Sequence, residues 1–151
     1  MMSEVEDRLR IAIDTNVLVA ALTNSGGASA RIVDAWMENR LDVVSSEATL
    51  REAELILDSQ WLRRIVPSGR IDALLDLLWT RSIRVRGTPI KDLPLNDEGD
   101  RRLVEAAIQG GASYLITADA ELLKYRGYLA AEFIKPTEFL KLSQLDVARE
   151  P

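Results

Sequence analysis

Ile11-Ala12-Ile13-Asp14-Thr15-Asn16 is a short apolar run ending in a carboxylate and two small polar residues. A run of this kind reads as a buried parallel strand that delivers one acid to the end of a sheet. Three further acids, Glu52, Asp100 and Asp119, lie far off in sequence but in matching settings. Asp119 follows a second apolar run, Tyr114 to Thr117, while Glu52 and Asp100 fall within predicted helices. The expectation is that the four meet in one pocket and hold a divalent metal.

The segments between them are predicted as scaffold. After a loose arm over residues 1–8, the first strand spans Leu9 to Ile13, and a helix over Asn16–Leu22 is broken by Asn24-Ser25-Gly26-Gly27. A helix over Ser29–Asn39 and a strand over Asp42–Val44 follow. Ser46 caps a helix running to about Asp58. Pro67-Ser68-Gly69 opens a helix whose Ile71, Leu74, Leu75, Leu78 and Trp79 repeat at helical spacing. Ile83–Arg86 alternates apolar and basic residues, as an edge strand does, and Lys91–Leu95 is a loop. A helix from about Asp97 to Gln109 stops at Gly110-Gly111. The strand Tyr114–Thr117, a short helix Ala120–Lys124, a last strand at Phe133-Ile134, a helix from Pro136-Thr137 and a frayed tail after Ser143 complete the chain. Strands alternating with helices predict an α/β fold of three layers, α/β/α, around a central parallel sheet. The whole of residues 1–151 is expected to form one domain, with its core over about 9–141. In such sheets ligands bind at the carboxyl ends of strands, where Asp14 and Asp119 fall.

Composition narrows the chemistry. The 151 residues include no cysteine and no histidine. That excludes disulfides, thiolate metal sites and every Ser-His or Cys-His nucleophile pair. Catalysis must run on carboxylates, metal, Lys or Tyr. Apolar runs such as Val17–Leu22 are far too short for a membrane span of roughly 20 residues, and the polar, acidic start does not read as a signal peptide; a cytoplasmic address is expected. The net charge of −5 disfavours nucleic acid, but it is unevenly spread. Residues 60–91 hold seven cations (Arg63, Arg64, Arg70, Arg81, Arg84, Arg86, Lys91) against Asp72 and Asp76, a net +5 that leaves −10 elsewhere. This stretch reads either as a solvated face or as an anion-binding one.

Each acid has a bland reading beside the metal one. Asp14 and Asp119 precede helices and suit N-caps. Asp97 and Asp100 are spaced as a capping box. The helical acids discriminate better. Glu52 has Ala48, Thr49, Leu55 and Ile56 as its helical neighbours, none charged, whereas Glu54 neighbours Arg51 and Asp58. Glu52 is therefore expected on an apolar face and Glu54 on a solvated one. Asp100 heads the apolar column Leu103, Val104, Ala107, with Asp97 on the same column as a candidate fifth acid. An acid on an apolar face is costly unless compensated, and an all-oxygen donor set selects Mg²⁺ or Mn²⁺.

Taken in order, these segments resemble the motifs of PIN-domain ribonucleases. Asp14-Thr15-Asn16 is similar to the opening motif, Ser46 to Glu52 to the second, Asn96-Asp97-Glu98-Gly99-Asp100 to the third, and Tyr114-Leu115-Ile116-Thr117-Ala118-Asp119 to the fourth. Glu98 and Gly99 depart from the family, which often has Pro and Asp there. The nearest branch looks like the toxin components of toxin–antitoxin systems. The resemblance implies Mg²⁺- or Mn²⁺-dependent hydrolysis of RNA phosphodiesters to 3′-hydroxyl and 5′-phosphate products. It places metal binding and catalysis on Asp14, Glu52, Asp100 and Asp119, with Asn16 and Thr117 orienting the carboxylates. It further implies an antitoxin partner and a homodimer, with no membrane. RNA binding is expected from Arg81, Arg84 and Arg86, with Arg63 and Arg64. Two rival readings are a non-catalytic PIN-like binding domain and a Mg²⁺-dependent phosphatase. The latter wants a second acid two residues after Asp14, where this chain has Asn16.

Overall fold

The run around Ile11 is the central strand of a parallel sheet in the computed structural model, which describes residues 8–127, 129–143 and 145. The strands are β1 (Leu9–Ile13), β2 (Leu41–Ser46), β3 (Ile83–Val85), β4 (Tyr114–Ile116) and β5 (Glu132–Ile134). Their spatial order is β3-β2-β1-β4-β5, and all four pairings are parallel. Ile11 faces Val43 on one side and Tyr114 on the other, and Ile13 faces Ile116. The helices are α1 (Thr15–Thr23), α2 (Ala28–Met37), α3 (Glu47–Leu57), α4 (Gln60–Ile65), α5 (Ser68–Arg81), α6 (Glu98–Gln109), α7 (Ala120–Leu123) and α8 (Pro136–Ser143).

Side-chain alternation along β1 builds the layers. Ile11 and Ile13 point to one face, where Leu18 of α1, Ile32 and Trp36 of α2, Leu50 and Leu57 of α3, Ile71 and Leu74 of α5 and Phe139 of α8 bury with them. Ala12 points to the other, with Val44, Leu115 and Phe133, under Leu103, Val104 and Ala107 of α6 and Leu122 of α7. The expected α/β/α arrangement is the observed one.

Helix α6 rests on this second face through a close approach. A Cβ on Gly110 would lie 2.8 Å from Cβ of Val44, so glycine lets the helix end settle on β2. Gly111 follows with φ +70°, and the amide of Ala112 returns to the Ala107 carbonyl at 2.9 Å, closing the helix as the Gly-Gly pair predicts. Side chains of α6 also fasten the long connection from β3. Glu105, though 3% exposed, accepts from the Ile90 amide at 3.0 Å. Gln109 accepts from the Thr88 amide at 2.7 Å and donates to the Thr88 carbonyl. Arg101 donates to the carbonyls of Leu93 and Leu95 at 3.0 and 3.1 Å.

Several expectations need correction. Helix α4 was not anticipated, because Leu62 is its single buried residue and it leaves no apolar stripe to read. Strand β2 is longer than Asp42–Val44, since Ser45 and Ser46 continue the pairing with β3. Trp79 is half-buried: its ring borders the core while Nε1 donates to Glu54 at 2.7 Å. Strand β3 is the expected edge, and Ser46 caps α3 by accepting from the Thr49 amide at 3.3 Å. The loose arm lies outside the described residues apart from Arg8, and the tail after Ser143 lies outside them apart from buried Leu145. Among the described residues no helix is long and apolar enough to cross a membrane.

The Gly110 contact yields a test. Gly110→Ala should lower stability by about 1–3 kcal/mol through overpacking against Val44. Gly69→Ala, in the first turn of α5 with nothing within 4 Å, should leave stability unchanged or raise it by up to about 1 kcal/mol. Urea unfolding of the two variants checks the contrast.

Candidate active site

Strand order reverses between β1 and β4, and acids end both strands. The chain leaves Ile13 for one side of the sheet and Ile116 for the other. Asp14 continues the ladder through its own amide, which donates to the Ile116 carbonyl at 2.9 Å. Asp14 is the N-cap residue of α1 but makes no side-chain cap hydrogen bond; the Thr15 and Asn16 amides only help to lower its carboxyl. Instead Oδ2 accepts from the Thr117 hydroxyl at 2.7 Å and from Asn16 Nδ2 at 3.2 Å. Thr117 is 0% exposed, and its oxygen also accepts from the Asp119 amide at 3.0 Å. One buried hydroxyl thus ties the two acids together. Asp119 does cap α7, accepting from the Glu121 amide at 2.9 Å.

Asp100 enters from the first turn of α6, which Asp97 caps by accepting from the Asp100 amide at 2.9 Å. Glu52 enters from α3. It is exposed, and its neighbours Leu55 and Ile56 are 77% and 40% exposed. The expectation of an inward apolar face for Glu52 is therefore corrected: the buried column of α3 is Leu50, Ala53 and Leu57. Glu52 sits beside that column, where α3 passes the start of α6. Gly99 makes room for it, since a Cβ there would lie 2.6 Å from Glu52 Oε2. Sequence reading noted Gly99 as a departure and missed this role; a glycine in the first turn of an otherwise good helix was the available signal.

Asp14, Glu52 and Asp100, with Ser45, Thr49 and Gly99, line a cavity of about 30 Å³. That is room for a water or an ion, not for a nucleotide. The charges in it are poorly balanced. Burial raises the Asp14 carboxyl above its ordinary range and Asp119 adds to it, against the Thr117 hydroxyl and the amides of Thr15 and Asn16. Burial, then Asp97, Asp14, Asp119 and Glu52, push Asp100 up to about 6. Burial, then Asp97, Asp14 and Glu98, raise Glu52. No lining residue is a cation. This donor set, all oxygen and mutually repelling, suits a hard divalent ion. Among the described residues no three acids are gathered tightly enough to clasp an ion as they stand. Asp97 and Asp119 are turned back onto helix amides, and Asp14 onto Thr117.

The basic stretch is scattered. Arg63 is paired with Asp58 and Asp72 at 2.6 and 2.9 Å. Arg81 donates to Asn39 and to the Met37 carbonyl, at the edge of the sheet opposite the acids. Arg84 lies 5.2 Å from the Trp79 ring centre and donates to the Trp79 carbonyl. Its strand partner is Ser45, which lines the ion-sized cavity. Arg86 follows β3 on the acid edge, and Arg64 ends α4; both are exposed, without a hydrogen bond or ion pair among the described residues.

The sequence profile of the PIN domain matches residues 10–121. An uncharacterized protein of Methanocaldococcus jannaschii is 28% identical over 121 residues, 79% of this chain and 76% of that one. The crystal structure of VapBC2 from Rickettsia felis, bound to a DNA fragment from its promoter, contains a similar chain. The TM-score is 0.55 at 16% identity, covering 83% of this chain and 98% of that one.

The raised Asp100 carboxyl gives stability a pH dependence. Asp100 binds its proton more tightly folded than unfolded, so metal-free stability falls as pH rises from about 4 through 6. In EDTA, Asp100→Asn should flatten that fall. It should also exceed the parent at pH 7 by on the order of 1 kcal/mol, allowing for solvent screening. Urea unfolding of both proteins across pH 4–8 checks it; parallel curves would remove the charge cluster as the cause.

Proposed function

The chain belongs to the PIN-domain family, and from that premise we propose that it is a divalent-metal-dependent ribonuclease hydrolysing RNA phosphodiesters. The observation that carries this reading is the uncompensated acid cluster around an ion-sized cavity at the strand-order reversal. Asp14, Glu52, Asp100 and Asp119 would hold Mg²⁺ or Mn²⁺, with Asp97 as a fifth candidate. Such an ion, when bound, acidifies water and offsets phosphate charge.

The chain's own groups do the positioning. The Thr117 hydroxyl holds one oxygen of Asp14 in place. Asn16 supports the same oxygen from α1. Glu52 has the most exposed of the site carboxylates, at the end of a flexible stem facing the cavity. It is the group we assign to orient the attacking water and accept its proton. For the RNA path we assign Arg84 and Arg86 on the acid edge, with Arg64 further out; Arg63 and Arg81 are already engaged with protein partners. The fold shared with a VapBC2 chain supports acting as the toxin of a toxin–antitoxin pair, with an antitoxin partner and a homodimer as the working assembly.

Labelled single-stranded RNA incubated with Mg²⁺, Mn²⁺ or EDTA tests the reaction. Cleavage should require metal. Asp14→Asn and Asp119→Asn should each lose at least about 100-fold with unfolding midpoints near the parent's, and Thr117→Val about 10- to 100-fold together with about 1–3 kcal/mol of stability. Glu54→Gln should keep full activity. Full activity in both Asp variants would sink the assignment.

Binding gives a separate test. Each phosphate contact adds roughly 0.7 to the slope of log affinity against log salt for single strands. Removing Arg84 and Arg86 together should lower that slope by about 1 to 1.5. An unchanged slope would make this edge a solvated face.

A further inference from the structure

Ala118 separates Thr117 from Asp119, and it also forms a wall of a second cavity, of about 370 Å³. The other walls include Asn24, Gly27 and Ser29 at the start of α2, and Lys135 and Thr137 at the start of α8. No acid lines it, in contrast to the ion-sized cavity next door. We propose that this second cavity is a phosphate subsite that takes a backbone phosphodiester of the RNA strand; the RNA part rests on the ribonuclease reading, the phosphate part does not.

The start of α2 is open. Its N-cap is Gly27, which supplies no side-chain hydrogen bond. The first amides of any helix lack partners within it, and α2 runs ten residues, so its positive end is well developed. A Cβ on Gly27 would lie 2.7 Å from Asn24 Nδ2. Glycine there lets the Asn24 amide fold across the helix start as a further donor.

Ser29 supplies the independent observation. It lies in the first turn, is 8% exposed, and its hydroxyl makes no hydrogen bond among the described residues. The residue is nine-tenths buried, yet its hydroxyl is not sealed among protein atoms; it belongs to the cavity wall, open to whatever occupies the cavity. An anion seated on the helix amides would accept from it as well.

Lys135 adds an exposed positive charge that makes no close ion pair among the described residues, though it acts at longer range on Glu138. The neighbouring acid, Glu138, is engaged by Arg126 at 2.8 Å and by the Lys135 amide at 3.3 Å. The cavity thus sets Asn24, Ser29, Thr137 and one cation among apolar walls of Ala20, Ala118 and Pro136, and its volume accommodates a phosphate with its sugar. A strand whose scissile phosphate sits at the acids would place a neighbouring phosphate beyond Ala118, where the charge changes sign.

The full chain, ¹⁵N-labelled and in EDTA, is titrated with inorganic phosphate. Amide shifts should concentrate at Ala28, Ser29 and Ala30 and saturate. The double variant Ser29→Ala/Lys135→Gln should weaken that binding about tenfold, as expected for hydrogen bonds to a charged group. The same variant should raise the KM for RNA about tenfold in Mg²⁺. Shifts absent from the α2 start overturn the proposal whatever the chain does to RNA. Phosphate binding there with an unchanged KM in the double variant overturns its place on the RNA path. Phosphate binding there in a chain that cleaves no RNA with any metal overturns the ribonuclease reading and leaves the phosphate site standing.

Discussion

A single buried hydroxyl, that of Thr117, holds together the two strands whose connections diverge. It donates to Asp14 at the end of β1 and accepts from the amide of Asp119 beyond β4. Around it the sheet changes direction of growth. From β1 the chain enters α1, which buries Val17 and Leu18 against one face; from β4 it enters α7, which buries Leu122 against the other. Helices leaving on opposite faces cannot cover the gap between their strands, so a crevice opens there. Two acids, one hydroxyl and one reversal of strand order follow from the same piece of topology. The helical acids then need only reach that gap, and Gly99 leaves the Glu52 carboxylate room beside the start of α6.

Gathering acids in this way works against the fold. Asp14, Glu52 and Asp100 all have raised carboxyls, with burial the largest cause and the charge of neighbouring acids, Asp97 and Asp119 among them, adding to it. Cations that stand close in sequence do not relieve them. Arg101 turns from Asp100 to the carbonyls of Leu93 and Leu95, Arg102 pairs with Glu98, and Arg51 pairs with Glu47. These pairs are exposed and contribute little to stability. The two apolar layers on either face of the sheet carry the strain. Charge left unbalanced at one edge of an otherwise satisfied fold is the pattern of a functional site.

Much of this was legible in the sequence because it rests on short-range rules. The apolar run before Asp14 gave the central strand, alternation at Ile83–Arg86 gave the edge, and Gly110-Gly111 gave the end of α6. The third layer followed from strands alternating with helices. Glu52 shows where such reading stops. Helical periodicity states which residues share a face, not which face is covered, and Leu55 and Ile56 prove to be exposed. Arg81 shows the same limit for charge. Closeness to Arg84 in sequence suggested one basic patch, yet the turn from α5 into β3 sets Arg81 at the far end of the strand, with Asn39. Asp97 and Asp100 illustrate a third case. The capping spacing was real, with Asp97 accepting from the Asp100 amide, and it left the Asp100 carboxylate free to face the cavity. Capping and site roles were not alternatives, because the two acids divide them.

On the ribonuclease reading proposed above, an acidic protein acts on a polyanion, a contradiction that net charge states and geometry resolves. At −5 overall, with its densest acids at the reacting edge, the chain repels phosphate before any cation is bound. Long-range attraction is therefore a weak means of holding RNA here, and short-range donors must do more. Screening at physiological salt removes most of the repulsion beyond about 8 Å, while hydrogen bonds from amides and hydroxyls act inside that distance. Ala118 marks the change. On one side of it lie the carboxylates tied by Thr117; on the other lie the open start of α2, the unpartnered Ser29 hydroxyl and Lys135.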